Sequence, residues 1–212
     1  MRITSLAGLI FLLSVYAPAQ KKHYNSLYEA LYAGTILRGD PGPSDVRWIE
    51  NGTRFSYTKN SQTGQQIWVY TPEDQTEEMV FSENGYTFPA SDRPFRYSSF
   101  QWTRDFENLL FQTNFKRIWR NSGNADYYLY SLEDKSLKLI VNDAFTAEVS
   151  PDGMKVGYGK NGNLYIVDLT TGQHTPLTDD GKDKFYNGRF GWANEEEFGL
   201  VRPGNGLATA GS

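Results

Sequence analysis

Cysteine is absent from the 212 residues, which excludes disulfide staples, thiolate zinc sites and cysteine nucleophiles in any compartment. Histidine is scarce: His23 and His174 are the only two. Neither has a serine nucleophile context, so each reads as an exposed polar residue, His174 in a strand-connecting turn, rather than as a general base. No G-x-S-x-G elbow, P-loop, dinucleotide-binding glycine pattern or metal-ligand cluster occurs in the chain, so no catalytic triad, cofactor or metal is expected of it. Positive charge is not in excess either. Lys and Arg number 21 against 25 Asp and Glu, a formal net charge of −4, and a footprint able to neutralise nucleic-acid phosphates is missing. Long apolar runs are absent after the first residues, so no later segment is expected to cross a membrane.

Aromatics and glycine are plentiful. Fourteen Tyr, thirteen Phe, five Trp and twenty Gly favour short aromatic strands joined by tight turns over a helical bundle. A hydrophobic content of 39% with 22% charged residues is enough to build one or two cores and argues against disorder. The first run, Leu6 to Tyr16, is apolar and ends in Ala17-Pro18-Ala19. It reads as a secretory signal peptide over residues 1–19, being well short of the roughly 20 apolar residues that span a bilayer. The mature protein is therefore expected outside the cytoplasm, in a periplasm or the extracellular space, and a secreted chain without cysteine fits a bacterial periplasm.

Within residues 20–44, Leu27, Tyr28 and Leu31 fall on one face at helical spacing after Asn25 or Ser26 as a cap, which predicts a short helix. Gly39-Asp40-Pro41-Gly42-Pro43-Ser44 then breaks regular structure. From residue 45 one phrase recurs, with copies starting near Trp48, Trp102 and Ser150. Each copy reads strand, turn, strand, turn, strand, and Asn51-Gly52, Asp152-Gly153, Asn161-Gly162 and Thr171-Gly172 supply residues that tolerate positive φ in hairpins. Asn51-Gly52-Thr53 also has the spacing of a glycosylation acceptor and is read here as a hairpin turn. A period near 50 residues is that of a propeller blade with loop insertions. The expected fold is all-β: a partial β-propeller over residues 45–200, with about three blades and the start of a fourth from Phe185. Residues 201–212 lose the strand pattern and are expected to be an unstructured tail.

Two local features could carry chemistry. Trp192-Ala193-Asn194-Glu195-Glu196-Glu197-Phe198 places three carboxylates in a row between aromatics. They could sit at the start of a helix or in a polar loop. They could also form a cation site: a bulge or helical turn brings adjacent acids onto one rim, where a primary ammonium would relieve their repulsion. Trp119-Arg120-Asn121-Ser122 is the second. Arg120 could make a surface cation-π pair, or point into a cavity and donate to a carbonyl or carboxylate.

The stretch from Phe185-Tyr186-Asn187-Gly188 through Trp192 to Glu195-Glu196-Glu197 resembles the double-glutamate motif of dipeptidyl peptidase IV and its relatives in the prolyl oligopeptidase family. Trp119-Arg120 resembles the same family's Trp-Arg loop and lies upstream in the right order, and Ser150-Pro151-Asp152-Gly153 is similar to the blade turns of these propellers. The resemblance covers roughly Gly34 to Gly199. This chain has Gly191 and Asn194 where the family pattern has Asp and Tyr. The resemblance implies an N-terminal propeller that caps a C-terminal α/β-hydrolase domain in the complete protein. It further implies that Glu196 and Glu197 hold the free amine of a peptide, that Arg120 holds a substrate carbonyl, and that Glu195 is structural. Cleavage would then follow a penultimate Pro or Ala, because the scissile bond falls at a set distance from the held end. Alone, without Ser, Asp and His of a triad, the chain is expected to be inactive, and the complete protein could be a homodimer. The alternative is a non-enzymatic periplasmic propeller that scaffolds envelope proteins, in which the three glutamates are incidental.

Overall fold

The structure, a computed structural model, describes residues 23–36, 42–89, 91–182 and 185–200. The signal segment expected at 1–19, the Gly39-Asp40-Pro41 part of the linker and the tail at 201–212 lie outside the described residues. Helix α1 (Leu27–Ile36) belongs to a separate compact unit, residues 1–42. Ser26 Oγ accepts the Glu29 N–H at 3.0 Å and Glu29 Oε2 accepts the Asn25 N–H at 2.9 Å, so the first turn is capped from both directions. The expected apolar face is there, but Leu27, Tyr28 and Leu31 are all exposed, with Tyr28 and Tyr32 rings 4.3 Å apart.

The second unit, residues 43–212, is built of three four-stranded antiparallel sheets. The first contains β1 (Ser44–Ile49), β2 (Arg54–Ser61), β3 (Gly64–Thr71) and β4 (Thr76–Ser82). The second contains β5 (Ser99–Trp102), β6 (Asn108–Arg117), β7 (Gly123–Ser131) and β8 (Leu137–Ala144). The third contains β9 (Ala147–Val149), β10 (Lys155–Lys160), β11 (Asn163–Asp168) and β12 (His174–Pro176). In each sheet the strands are neighbours in chain order, the meander of a propeller blade, and the sheets begin close to the three sequence copies.

The turn dipeptides work as their chemistry requires. Asn51 and Gly52 take φ of 56° and 85° between β1 and β2, and Asn161 and Gly162 take 50° and 79° in a two-residue loop that joins Lys160 to its partner Asn163. His174 is not in a turn: it starts the edge strand β12, pairs with Val167, and its Nδ1 lies 2.8 Å from the Tyr158 hydroxyl. After β12, residues 185–200 contribute no strand among the described residues. The expected start of a fourth blade consists of a bridge between Lys182 and Phe185 followed by helix α2 (Trp192–Phe198).

Side chains alternate across a strand, and the middle sheet uses both of its faces. Leu109 and Phe111 of β6 and Tyr128 and Tyr130 of β7 face one core, with Ile67, Val69, Phe81, Phe95 and Phe100. Leu110, Ala125 and Tyr127 face the other, with Val141, Val156, Tyr158 and Val167. Polar clips join the sheets at their ends: Trp102 Nε1 donates to Ser56 Oγ at 2.9 Å, and Gln101 Nε2 donates to the Ala147 carbonyl at 2.9 Å. In the first core the Tyr86 and Tyr130 hydroxyls meet at 3.0 Å, and burial above all pushes the Tyr130 phenol pKa up.

Truncating either face should unfasten one core and leave the other. Phe111→Ala is expected to lower unfolding free energy by about 3–5 kcal/mol and Leu110→Ala by about 2–5 kcal/mol, read from urea midpoints. A Phe111→Ala loss near zero would mean that the first two sheets are not packed together in solution.

Candidate functional site: the β6–β7 loop and helix α2

The site is made where the β6–β7 hairpin meets the segment after β12. At the top of the hairpin, residues 118–122 form a tight loop closed by the Ile118 and Trp119 N–H groups donating to the Ser122 carbonyl at 2.9 and 3.1 Å. Gly123 is required just beyond it, since a Cβ there would lie 2.2 Å from the Lys116 carbonyl oxygen.

The facing segment is fixed by Tyr186-Asn187-Gly188. The Asn187 N–H donates to the Gly162 carbonyl at 2.9 Å, and its side-chain amide donates to Asp180 Oδ1 at 2.8 Å. Gly188 has φ of 68°, and a Cβ there would come within 2.1 Å of Leu164, so only glycine serves at this turn. Helix α2 starts at Gly191, whose extended φ of −70° and ψ of 160° suit an N-cap but which offers no side-chain oxygen. It ends at Gly199 in the left-handed region, with the Gly199 and Leu200 N–H groups returning to the Glu195 and Asn194 carbonyls, as in a Schellman close.

The three consecutive acids have three different environments because a helix turns about 100° per residue. Glu195 points inward and is only 2% exposed. Its Oε1 accepts the Asn121 N–H at 2.7 Å and its Oε2 accepts the Ser122 hydroxyl at 2.5 Å. Glu196 is partly covered, and its Oε2 lies 3.0 Å from Arg120 Nη1. Glu197 is exposed and has no ion pair or hydrogen bond among the described residues. Arg120, Glu196 and the loop are thus brought together across more than 70 residues of sequence, while Glu197 is exposed.

Arg120 does not stack on Trp119. The cation over that ring is Arg189, whose guanidinium carbon is 4.1 Å from the Trp119 centroid, 4.5 Å from Phe145 and 5.2 Å from Tyr186. The sequence reading missed Arg189. Its one local signal is a lone cation in the aromatic stretch from Phe185 to Trp192. Among the described residues no group of three or more His, Cys, Asp and Glu side chains could hold a metal ion.

Comparison with known proteins shows what the chain is similar to. Residues 103–202 match the family model described as "Dipeptidyl peptidase IV (DPP IV) N-terminal region". A "Probable dipeptidyl peptidase 4" of Aspergillus flavus is 30% identical over an alignment of 166 residues that covers 74% of this chain and 20% of that protein. "Dipeptidyl aminopeptidase B" of Saccharomyces cerevisiae is 29% identical over 114 residues, 53% of this chain and 14% of the relative. The crystal structure of Porphyromonas gingivalis dipeptidyl peptidase 4 shares the fold, with a TM-score of 0.66 at 22% identity over 85% of this chain and 26% of that one. The chain spans between about an eighth and a fifth of the length of the curated relatives it matches. Together these matches identify the chain as an N-terminal dipeptidyl peptidase IV-like segment, homologous to dipeptidyl peptidases.

Two outcomes follow from the geometry. Glu195→Gln puts an amide N–H₂ against a donor and should cost about 1.5–3 kcal/mol, the worth of a hydrogen bond to a charged group. Hydrogen exchange at the Asn121 amide should then accelerate, while Glu197→Gln leaves it unchanged. Gly191→Asp should stabilise the chain by about 0.3–1 kcal/mol through an N-cap acceptor and the helix dipole. Nothing lies within 4 Å of the added Cβ, and a lower melting temperature would refute the cap assignment.

Proposed function

We propose that this chain supplies the substrate-recognition part of a secreted dipeptidyl peptidase IV-like serine exopeptidase that releases N-terminal Xaa-Pro or Xaa-Ala dipeptides. Residues 1–19 are its signal peptide, residues 20–44 a helix and linker and residues 45–200 the propeller region. A C-terminal α/β-hydrolase domain of the complete protein carries the catalytic serine. The protein acts in the periplasm or outside the cell.

The observation that carries this reading is the contact of Arg120 with Glu196 at 3.0 Å. One guanidinium and two carboxylates leave a formal charge of −1 at this rim, and an ammonium group both balances it and brings three donors. Glu195 cannot serve, because both its oxygens are already engaged with the loop. Arg120 is 72% exposed, and its planar fork has donors left over for a peptide carbonyl beyond the one spent on Glu196. Holding both the amine and the first carbonyl sets the distance to the bond that is cut, so selectivity comes from positioning rather than from reading long sequences. Because Arg120 already neutralises part of the acid pair, the empty site need not carry two unbalanced carboxylates, which lowers the repulsion between them.

The test uses the complete protein and an Ala-Pro chromogenic substrate. Glu196→Gln and Glu197→Gln are each expected to lower kcat/KM by about tenfold to a hundredfold, as loss of a charge-assisted hydrogen bond implies. Acetylating the substrate amine should abolish turnover of the unmodified protein. Unchanged kcat/KM in both variants would remove the site assignment, and equal turnover of the acetylated substrate would remove the exopeptidase reading.

A further inference from the structure

Between the β6–β7 hairpin, the β10–β11 hairpin and the segment after β12 the structure holds a cleft of about 400 Å³. Its charge is opposite in sign to that of the acidic rim. Among the described residues, Lys160, Lys182 and Arg189 line it, with Asp143 as the one carboxylate. Asp143 is itself engaged, its Oδ1 accepting from the Asn124 side chain at 3.1 Å. Lys160 is held in place by the Asn142 backbone and side-chain oxygens at 2.8 and 2.9 Å, which fixes the ammonium without neutralising it.

Arg189 is the unusual member. Three aromatic rings lie within about 5 Å of its guanidinium, and their faces stabilise a cation but accept no N–H hydrogen bond of ordinary strength. Its Nε is buried and has no hydrogen-bond partner, and none of its donors meets a protein acceptor or carboxylate among the described residues. A buried donor left unpaired is costly. A cation held rigidly between rings, short of acceptors and bordering a net-positive hollow, is in the state that an oxyanion would complete.

We propose that this cleft is a carboxylate-binding site, with Arg189 as the fork and Lys182 and Lys160 as flanking charges. A carboxylate fits better than a tetrahedral anion because the guanidinium is planar and matches two coplanar oxygens. The ligand class is an acidic side chain or a terminal carboxylate of a peptide. Its occupancy bears on the neighbouring loop, since Trp119 stacks on Arg189 and immediately precedes Arg120.

The site is independent of the amine-holding role, and the probe is chosen to keep the two apart. N-acetylglutamate, which has no free amine, is titrated into the full chain by calorimetry, with N-acetylglutamine as the neutral isostere and sulfate as the tetrahedral competitor. N-acetylglutamate should bind at millimolar concentration and at least about tenfold more tightly than N-acetylglutamine, with affinity falling as salt rises. Lys182→Gln, at an exposed position that should not disturb folding, should weaken binding several-fold, Arg189→Gln should abolish it, and Arg120→Gln should leave it unchanged. Equal binding of the two acetylated amino acids, or wild-type binding by the Lys182→Gln and Arg189→Gln variants, would overturn the proposal. Loss of binding in Arg120→Gln alone would move the carboxylate to the acidic rim's arginine and overturn it equally. Displacement by sulfate at concentrations at or below those of the probe would overturn the preference for a planar anion.

Discussion

Everything at the loop end of this structure hangs from a strand that has to be apolar on both sides. In β6, Leu109, Leu110 and Phe111 are each at most 1% exposed, and only a sheet sandwiched between two others can bury consecutive residues of a strand in this way. The middle sheet is therefore fixed from two directions, by the aromatic cluster around Phe81 and Phe95 on one side and by the aliphatic cluster around Val156 and Val167 on the other. The β6–β7 hairpin that projects from it inherits that rigidity. A loop that must hold an arginine at a defined place is best mounted on such an element, because side chains on a well-buried scaffold lose little precision to backbone motion.

The hairpin alone does not fix Arg120. Residues 118–122 protrude beyond the paired strands, and only a contact from outside can set their orientation. Glu195 supplies it with a carboxylate that is almost wholly buried and doubly hydrogen-bonded. Removing a carboxylate from water is costly, and it is tolerated where donors replace the lost hydration. Here they are a backbone N–H and a hydroxyl of the loop itself, so the energy that compensates burial is also what orders the loop. Glu196 follows one helical step later and meets the arginine of the same loop. The division of labour among three identical side chains comes from helix geometry, not from the residues.

Much of this was legible in the sequence, for reasons that differ by element. The hairpins at Asn51-Gly52 and Asn161-Gly162 could be placed because their φ requirement is local, and the three sheets because a recurring phrase of about 50 residues has few architectural solutions. Glu196 and Arg120 came from a resemblance, and the structure brings them into contact. What could not be read was whatever depends on distant partners. An arginine next to a tryptophan suggested a cation-π pair within Trp119-Arg120, yet the cation over Trp119 is Arg189, 70 residues on, and no periodicity encodes that meeting. Likewise His174 looked like a turn residue because the neighbouring Thr171-Gly172 turn is so strong a signal, while its place in β12 depends on pairing with Val167. The apolar face of α1 followed the helical period correctly, but period reports which residues share a face and not what covers it.

Gly191 and Asn194, the two positions at which this chain departs from the family pattern, show which parts of the motif the geometry depends on. Gly191 sits at the N-cap, where a backbone in extended conformation matters more than the side chain and glycine is among the residues accepted. Asn194 is exposed on the helix, and its carbonyl, which any residue would provide, takes the closing bond from Leu200. Neither substitution touches the buried acid, the Arg120 contact or the turn at Gly188. The requirement is that a helix N-cap fall three residues after the Asn187-Gly188 turn and that the helix run long enough to carry Glu195 inward. The spacing of the motif therefore constrains the site more tightly than these two letters do, and a chain can lose both and keep the loop, the arginine and the acids in register.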